Sequence, residues 1–79
     1  MTPLNAKKLS HLIPGQHGTI HAIHAEHALH QRLNAMGFRI GKKIELIRRA
    51  NFNGPLHMRI GATDIILRDI EAQRIQLAA

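Results

Sequence analysis

The chain has 79 residues, no cysteine, and 11 Lys and Arg against 5 Asp and Glu, for a formal charge of +6 with seven His in addition. That length is one small domain with an expected radius of gyration of about 12 Å, which leaves little room for both a core and an enclosed substrate cavity. The missing cysteines exclude a disulfide framework, a thiolate metal site and a Cys nucleophile, while a hydrophobic content of 44% argues for a folded globule over a disordered chain.

Taken in chain order, residues 1–8 and the last two read as loose ends, and Leu9–Gly15 reads as a short turn that tucks two leucines inward and stops at Pro14-Gly15. Gly18–Ile23 alternates as a half-buried strand, with Ile20 and Ala22 opposite Thr19 and His21. Over Ala25–Met36 the period changes: Leu29, Leu33 and Met36 form a helical stripe, His27, Gln31 and Asn34 face away, and Gly37 is the C′ stop. Past Gly41 the period returns to two. Ile44 and Leu46 point one way and Glu45 the other, with Ile47 blurring the pattern. Asn51–Pro55 is a turn cluster, Leu56–Ile60 a cleanly alternating strand, Gly61–Asp64 a turn, and Ile65–Arg68 the return strand of a tight hairpin. Asp69 is an N-cap candidate for one helical turn to Gln73, and Arg74–Leu77 is a last short strand.

The order is strand, helix, three strands, helical turn, strand. Five short strands bury a face at this size by curling into a small barrel, whose open end the helix caps. The expectation is one mainly β (small α+β) domain over residues 1–79, with its core between 9 and 77.

The punctuation of the chain carries a resemblance. Leu9-x-x-Leu12-x-x-Gly15-x-x-Gly18-x-Ile20 is followed by Arg32-Leu33-x-x-Met36-Gly37-Phe38-x-x-Gly41, then by Gly54-Pro55, Gly61 and Leu67-Arg68-x-x-Glu71-Ala72-x-x-Ile75-x-Leu77. Over Leu9–Leu77 this resembles the ferrous iron transport protein A (FeoA) family of bacteria. The resemblance implies a five-stranded SH3-like β-barrel with one capping helix and a short helical turn near the C-terminus. It also implies a cytoplasmic, non-catalytic accessory protein that docks on the membrane permease of the same system, ferrous iron transport protein B, and modulates its GTPase domain. The protein would then sit at the inner membrane only through that partner, as a monomer or weak homo-oligomer. Its motif marks scaffold positions and transfers no list of binding residues.

Two segments carry chemistry of their own. His21-Ala22-Ile23-His24-Ala25-Glu26-His27-Ala28-Leu29-His30 sets four His at intervals of three around a carboxylate. Imidazole and carboxylate suit divalent iron, so His24, His27, His30 and Glu26 are candidate ligands for a weak metal or metal-sensing site, although the usual helical pair is i, i+4. The bland alternative is a set of exposed polar residues on the outer helix face. The other segment holds five of the cations: Arg39, Lys42, Lys43, Arg48 and Arg49, opposed by Glu45 alone. Arg39, Lys42, Lys43 and Arg49, with Phe52 as an exposed apolar anchor and Phe38 in the core, form a candidate docking patch for an acidic protein face. A solvated strand edge has equal weight.

Nucleic acid is the rival partner class for a small basic barrel. Aromatic residues are only 3% of the chain, with no Tyr or Trp, so a stacking platform is lacking and only nonspecific backbone binding is left. No paired carboxylates, nucleophile elbow or phosphate-binding Gly-Lys loop supports an enzyme, and no cofactor is required. No apolar run approaches the roughly 20 residues of a bilayer span, and the N-terminus leads into no apolar signal segment, so neither direct membrane insertion nor secretion is expected.

Overall fold

The computed structural model describes residues 7–78, with a radius of gyration of 11.6 Å. Six strands and two helices follow in order: β1 (Lys7–Lys8), β2 (His17–Ile23), α1 (His27–Ala35), β3 (Lys43–Arg49), β4 (Leu56–Ile60), β5 (Thr63–Leu67), α2 (Asp69–Ala72) and β6 (Ile75–Leu77), with a 3-10 turn at Leu9–His11. The strands form one antiparallel sheet in the order β1-β6-β2-β3-β4-β5. The five expected strands are all present. The sixth, β1, lies in the segment read as a loose end: Lys7 pairs with Leu77 and Lys8 with Gln76. At the other terminus the Ala78 N–H donates to Thr19 O at 2.8 Å, so that residue is tied to the sheet as well.

The curl is made by β2. Its first half pairs with β3 (His17–Glu45, Gly18–Ile44, Thr19–Lys43), and its second half pairs with β6 (Ile20–Leu77, Ile23–Ile75). A register shift between Ile20 and Ala22 lets one strand serve two sheet directions, as bulges do at barrel corners. A second bulge, between Leu46 and Arg48, makes Ile47 the extra residue. That is why the alternation blurs there. Ile20, Leu33, Phe38, Ile44, Leu46, Leu56, Met58, Leu67, Ile75 and Leu77 fill the interior, together with the two leucines of the N-terminal turn, Leu9 and Leu12.

Helix α1 begins at His27, two residues later than the apolar stripe suggests, and ends as the stripe predicts. Gly37 has φ 101°, its N–H donates to Asn34 O at 3.0 Å, and the Phe38 N–H donates to Leu33 O at 2.9 Å. This is a Schellman stop, with buried Phe38 closing on buried Leu33. The β4–β5 turn is only Gly61-Ala62, so β5 starts at Thr63, inside the longer turn that the sequence suggested. Arg68, rather than Asp69, occupies the N-cap of α2. The Glu71 carboxylate accepts the Arg68 backbone N–H at 3.0 Å, the return half of a capping box whose other half Arg68, having no side-chain acceptor, cannot make.

Candidate interaction surfaces

The four candidate metal ligands do not converge. His24 lies between β2 and α1, where its Nε2 is 3.0 Å from Gln76 Oε1 on β6. Because a carboxamide oxygen accepts only, that nitrogen is a donor here. The Asn34 amide donates to His30 Nδ1 at 3.1 Å, which occupies that lone pair. Glu26 and His27 are exposed at the start of α1. Among the described residues no group of three or more His, Asp or Glu is placed to hold a metal ion.

The candidate docking patch is divided. Lys43 and Arg49 are the two ends of β3, six residue steps or about 20 Å apart, in a molecule measuring 33 × 27 × 24 Å. At one end Arg39, Ile40, Gly41 and Lys42 form a turn closed by the Lys42 N–H on Arg39 O at 3.1 Å. Arg39, Lys42 and Lys43 are exposed there, and among the described residues none of them makes an ion pair. Ile40, at the tip of that turn, is 69% exposed, an apolar anchor that the sequence reading missed. A solitary isoleucine between basic residues was its only signal.

At the other end, Arg49 does not belong to a free surface. Its guanidinium donates from Nη1 to Asp69 Oδ1 at 3.2 Å and from Nη2 to Leu12 O at 3.2 Å and to Ser10 O. The side chain is 21% exposed and Asp69 19%, so this is a partly buried clasp joining β3, the N-terminal turn and α2. A five-donor fork suits such a junction and a lysine would not. Arg49 therefore leaves the docking patch. Phe52 is fully exposed, and with Phe38 at 0% it is the one aromatic ring available at the surface. A single ring is no stacking platform for nucleic acid.

The outer face of β4–β5 carries a charge group that sequence periodicity brought only half into view. Alternation in Leu56–Ile60 turns His57 and Arg59 outward, and the two-residue turn puts Arg59 directly opposite Asp64. Arg59 Nε donates to Asp64 Oδ1 at 2.7 Å, and His57 Nε2 lies 2.9 Å from Oδ2. The hydrogen bonds from Arg59 and His57 hold the Asp64 carboxyl down at about 2, and Asp64 in turn raises the Arg59 guanidinium. An ion pair from exposed Arg32 to buried Glu71, Nη1 to Oε2 at 2.6 Å, fastens α1 to α2.

Comparison with known proteins places these surfaces in context. The family model described as FeoA domain matches residues 7–79. Among solved structures, iron(II) transport protein A of Clostridium thermocellum is 37% identical with a TM-score of 0.85, over 90% of this chain and 44% of that one. An iron uptake regulatory protein (FeoA) is 25% identical with a TM-score of 0.84, over 95% of this chain and 97% of the other. The FeoA of Stenotrophomonas maltophilia, solved with zinc, is 26% identical over 91% of this chain and 89% of that one, with a TM-score of 0.79; it is an SH3 domain protein put forward as an activating factor of ferrous iron transport. No curated protein matches the chain.

Proposed function

The chain belongs to the FeoA domain family, and from that premise we propose that it is a non-catalytic accessory of ferrous iron transport, docking on the cytoplasmic GTPase region of the membrane permease and modulating it. The match over residues 7–79 spans every strand and helix of the fold, and it is the observation that carries this reading. Among the described residues no helix is long and apolar enough to cross a membrane.

The docking end is the Arg39–Lys43 turn. Three cations, unpaired among the described residues, around exposed Ile40 combine an apolar anchor with a charged rim, the composition that steers an acidic partner and then holds it. Arg39, Lys42 and Lys43 remain from the sequence-derived patch; Ile40 joins them, and Arg49 and Phe52 leave. Docking acts by differential affinity, stabilising one conformation of the GTPase region over another. The test is capture from solubilised membranes that contain the permease. The immobilised protein should retain the permease at low salt and release it as salt rises. A permease that passes through unretained under both conditions would end the proposal.

A further inference from the structure

Phe52 stands at the tip of the β3–β4 connection, at the pole opposite the Arg39–Lys43 turn, with its whole side chain exposed. Its backbone is held in the left-handed region at φ 58°, next to Asn53 at φ 57°. The Gly54 N–H closes this turn on Asn51 O at 3.1 Å. A bulky residue seldom adopts that conformation, which disfavours L side chains by about 1–2 kcal/mol. Asn is the residue such a turn would ordinarily take. A fully exposed ring kept at a strained turn position gains nothing from the fold of this molecule.

The ground around the tip is basic on three sides. Arg48 and Ile66 line the surface depression on the Asn51 and Pro55 flank, Arg68 and Ile70 the one beside Gly54, and Lys8 the one beside Asn53. Lys8, Arg48 and Arg68 are exposed and unpaired among the described residues, whereas the acid of this region, Asp69, is neutralised by Arg49. Ile66 and Ile70 add exposed apolar surface at 62% and 63%. Cations thus border three separate depressions that adjoin the turn carrying the ring.

We infer that this pole is an interfacial contact for an anionic lipid surface: Phe52 enters the headgroup–acyl boundary, and Lys8, Arg48 and Arg68 lie against the headgroups. A plane of negative charge matches an exposed ring with cations on three flanks of its turn, whereas one protein face would need cations on one flank and a pocket shaped to the ring. The contact is peripheral and involves no spanning segment. It concerns the pole opposite the permease-docking turn, and vesicles contain no permease, so the test below stands or falls apart from that reading.

The chain has no Trp and no Tyr, so the Phe52→Trp variant reports its tip alone. Its emission should shift to the blue with vesicles of phosphatidylcholine containing phosphatidylglycerol, remain unchanged with phosphatidylcholine alone, and recover with salt. In a sedimentation assay the Phe52→Ala variant should bind anionic vesicles at least about tenfold more weakly. The Arg48→Gln, Arg68→Gln double variant should bind about thirtyfold more weakly, as two cations near an anionic surface imply. An unshifted Trp on anionic vesicles overturns the inference. So does undiminished binding of Phe52→Ala, or a blue shift elicited only by the permease's isolated GTPase region, which would make the tip a protein-docking anchor.

Discussion

Arg49 Nη1 donates to Asp69 Oδ1 at 3.2 Å, and the same guanidinium reaches the carbonyls of Ser10 and Leu12. One side chain thus fastens the end of β3 to α2 and to the turn that buries Leu9 and Leu12. Removing it leaves a partly buried carboxylate and two carbonyls short of a donor. Arg49→Ala should lower stability by about 2 kcal/mol in urea unfolding, and Arg49→Lys should recover less than half of the loss, having no fork. Lys42→Glu, on the open turn, should change stability by less than about 0.5 kcal/mol. Equal effects at positions 42 and 49 would remove the clasp.

Glu71 has both carboxylate oxygens engaged, one by Arg32 on α1 and one by the Arg68 backbone N–H. Truncation to Ala unmakes the link between the helices and the N-cap of α2 together, at about 2–3 kcal/mol. Glu71→Gln keeps an acceptor for Arg68 and should cost less. Hydrogen exchange should show the Ala variant opening first at α2, because that is where the Arg68 N–H loses its acceptor.

The Asp64 group contributes to the acid limb of stability. Its carboxyl is depressed from 3.8 to about 2 in the folded state, first by the hydrogen bond from Arg59 and then by that from His57. A depressed carboxyl contributes stability that is present above its unfolded value and is lost as pH falls through the folded one. The loss falls between about pH 4 and pH 2. Asp64→Asn should therefore flatten the unfolding free energy against pH in that window, and the difference between wild type and variant should shrink on acidification. A difference that stays constant from pH 6 to pH 2 would contradict the assignment.

The turn at Phe52 predicts a gain of stability on losing the ring. Phe52→Asn places a residue tolerant of the left-handed region at φ 58° and should stabilise the fold by about 0.5–1 kcal/mol. Gly54→Ala should do the reverse, since a Cβ there would lie 2.8 Å from Ala50 Cβ and 3.0 Å from Asn51 O. Thermal unfolding of the two variants distinguishes a turn selected for folding from one that holds an aromatic ring outward in spite of it.

Much of this architecture could be read from local pattern. The Leu29, Leu33, Met36 stripe with Gly37 behind it specifies α1 and its stop, and the alternation in Leu56–Ile60 specifies β4, because both signals lie within a few residues of the structure they encode. Pairings over long separation left weaker traces. Lys7-Lys8 carries no strand signal of its own and becomes β1 because β6 offers it an edge. Arg49 looked like one more surface cation, since nothing in its neighbourhood tells that Ser10, Leu12 and Asp69 will meet it. The docking patch was overestimated for a related reason: Arg39 and Arg49, close in sequence, come to lie at opposite ends once β3 is extended. The histidine tract was legible as composition only. Its spacing put His24 and His30 beside Gln76 and Asn34, away from one another.

The claim on which the rest depends is that the Arg39–Lys43 turn docks on an acidic face of the permease's GTPase region. Calorimetric titration of that isolated region should show the Arg39→Glu, Lys42→Glu, Lys43→Glu variant binding at least about tenfold more weakly than wild type, with a shallower dependence on salt, while Phe52→Ala binds as wild type does. Equal affinity of wild type and the charge-reversed variant, with unchanged salt dependence, would contradict the account.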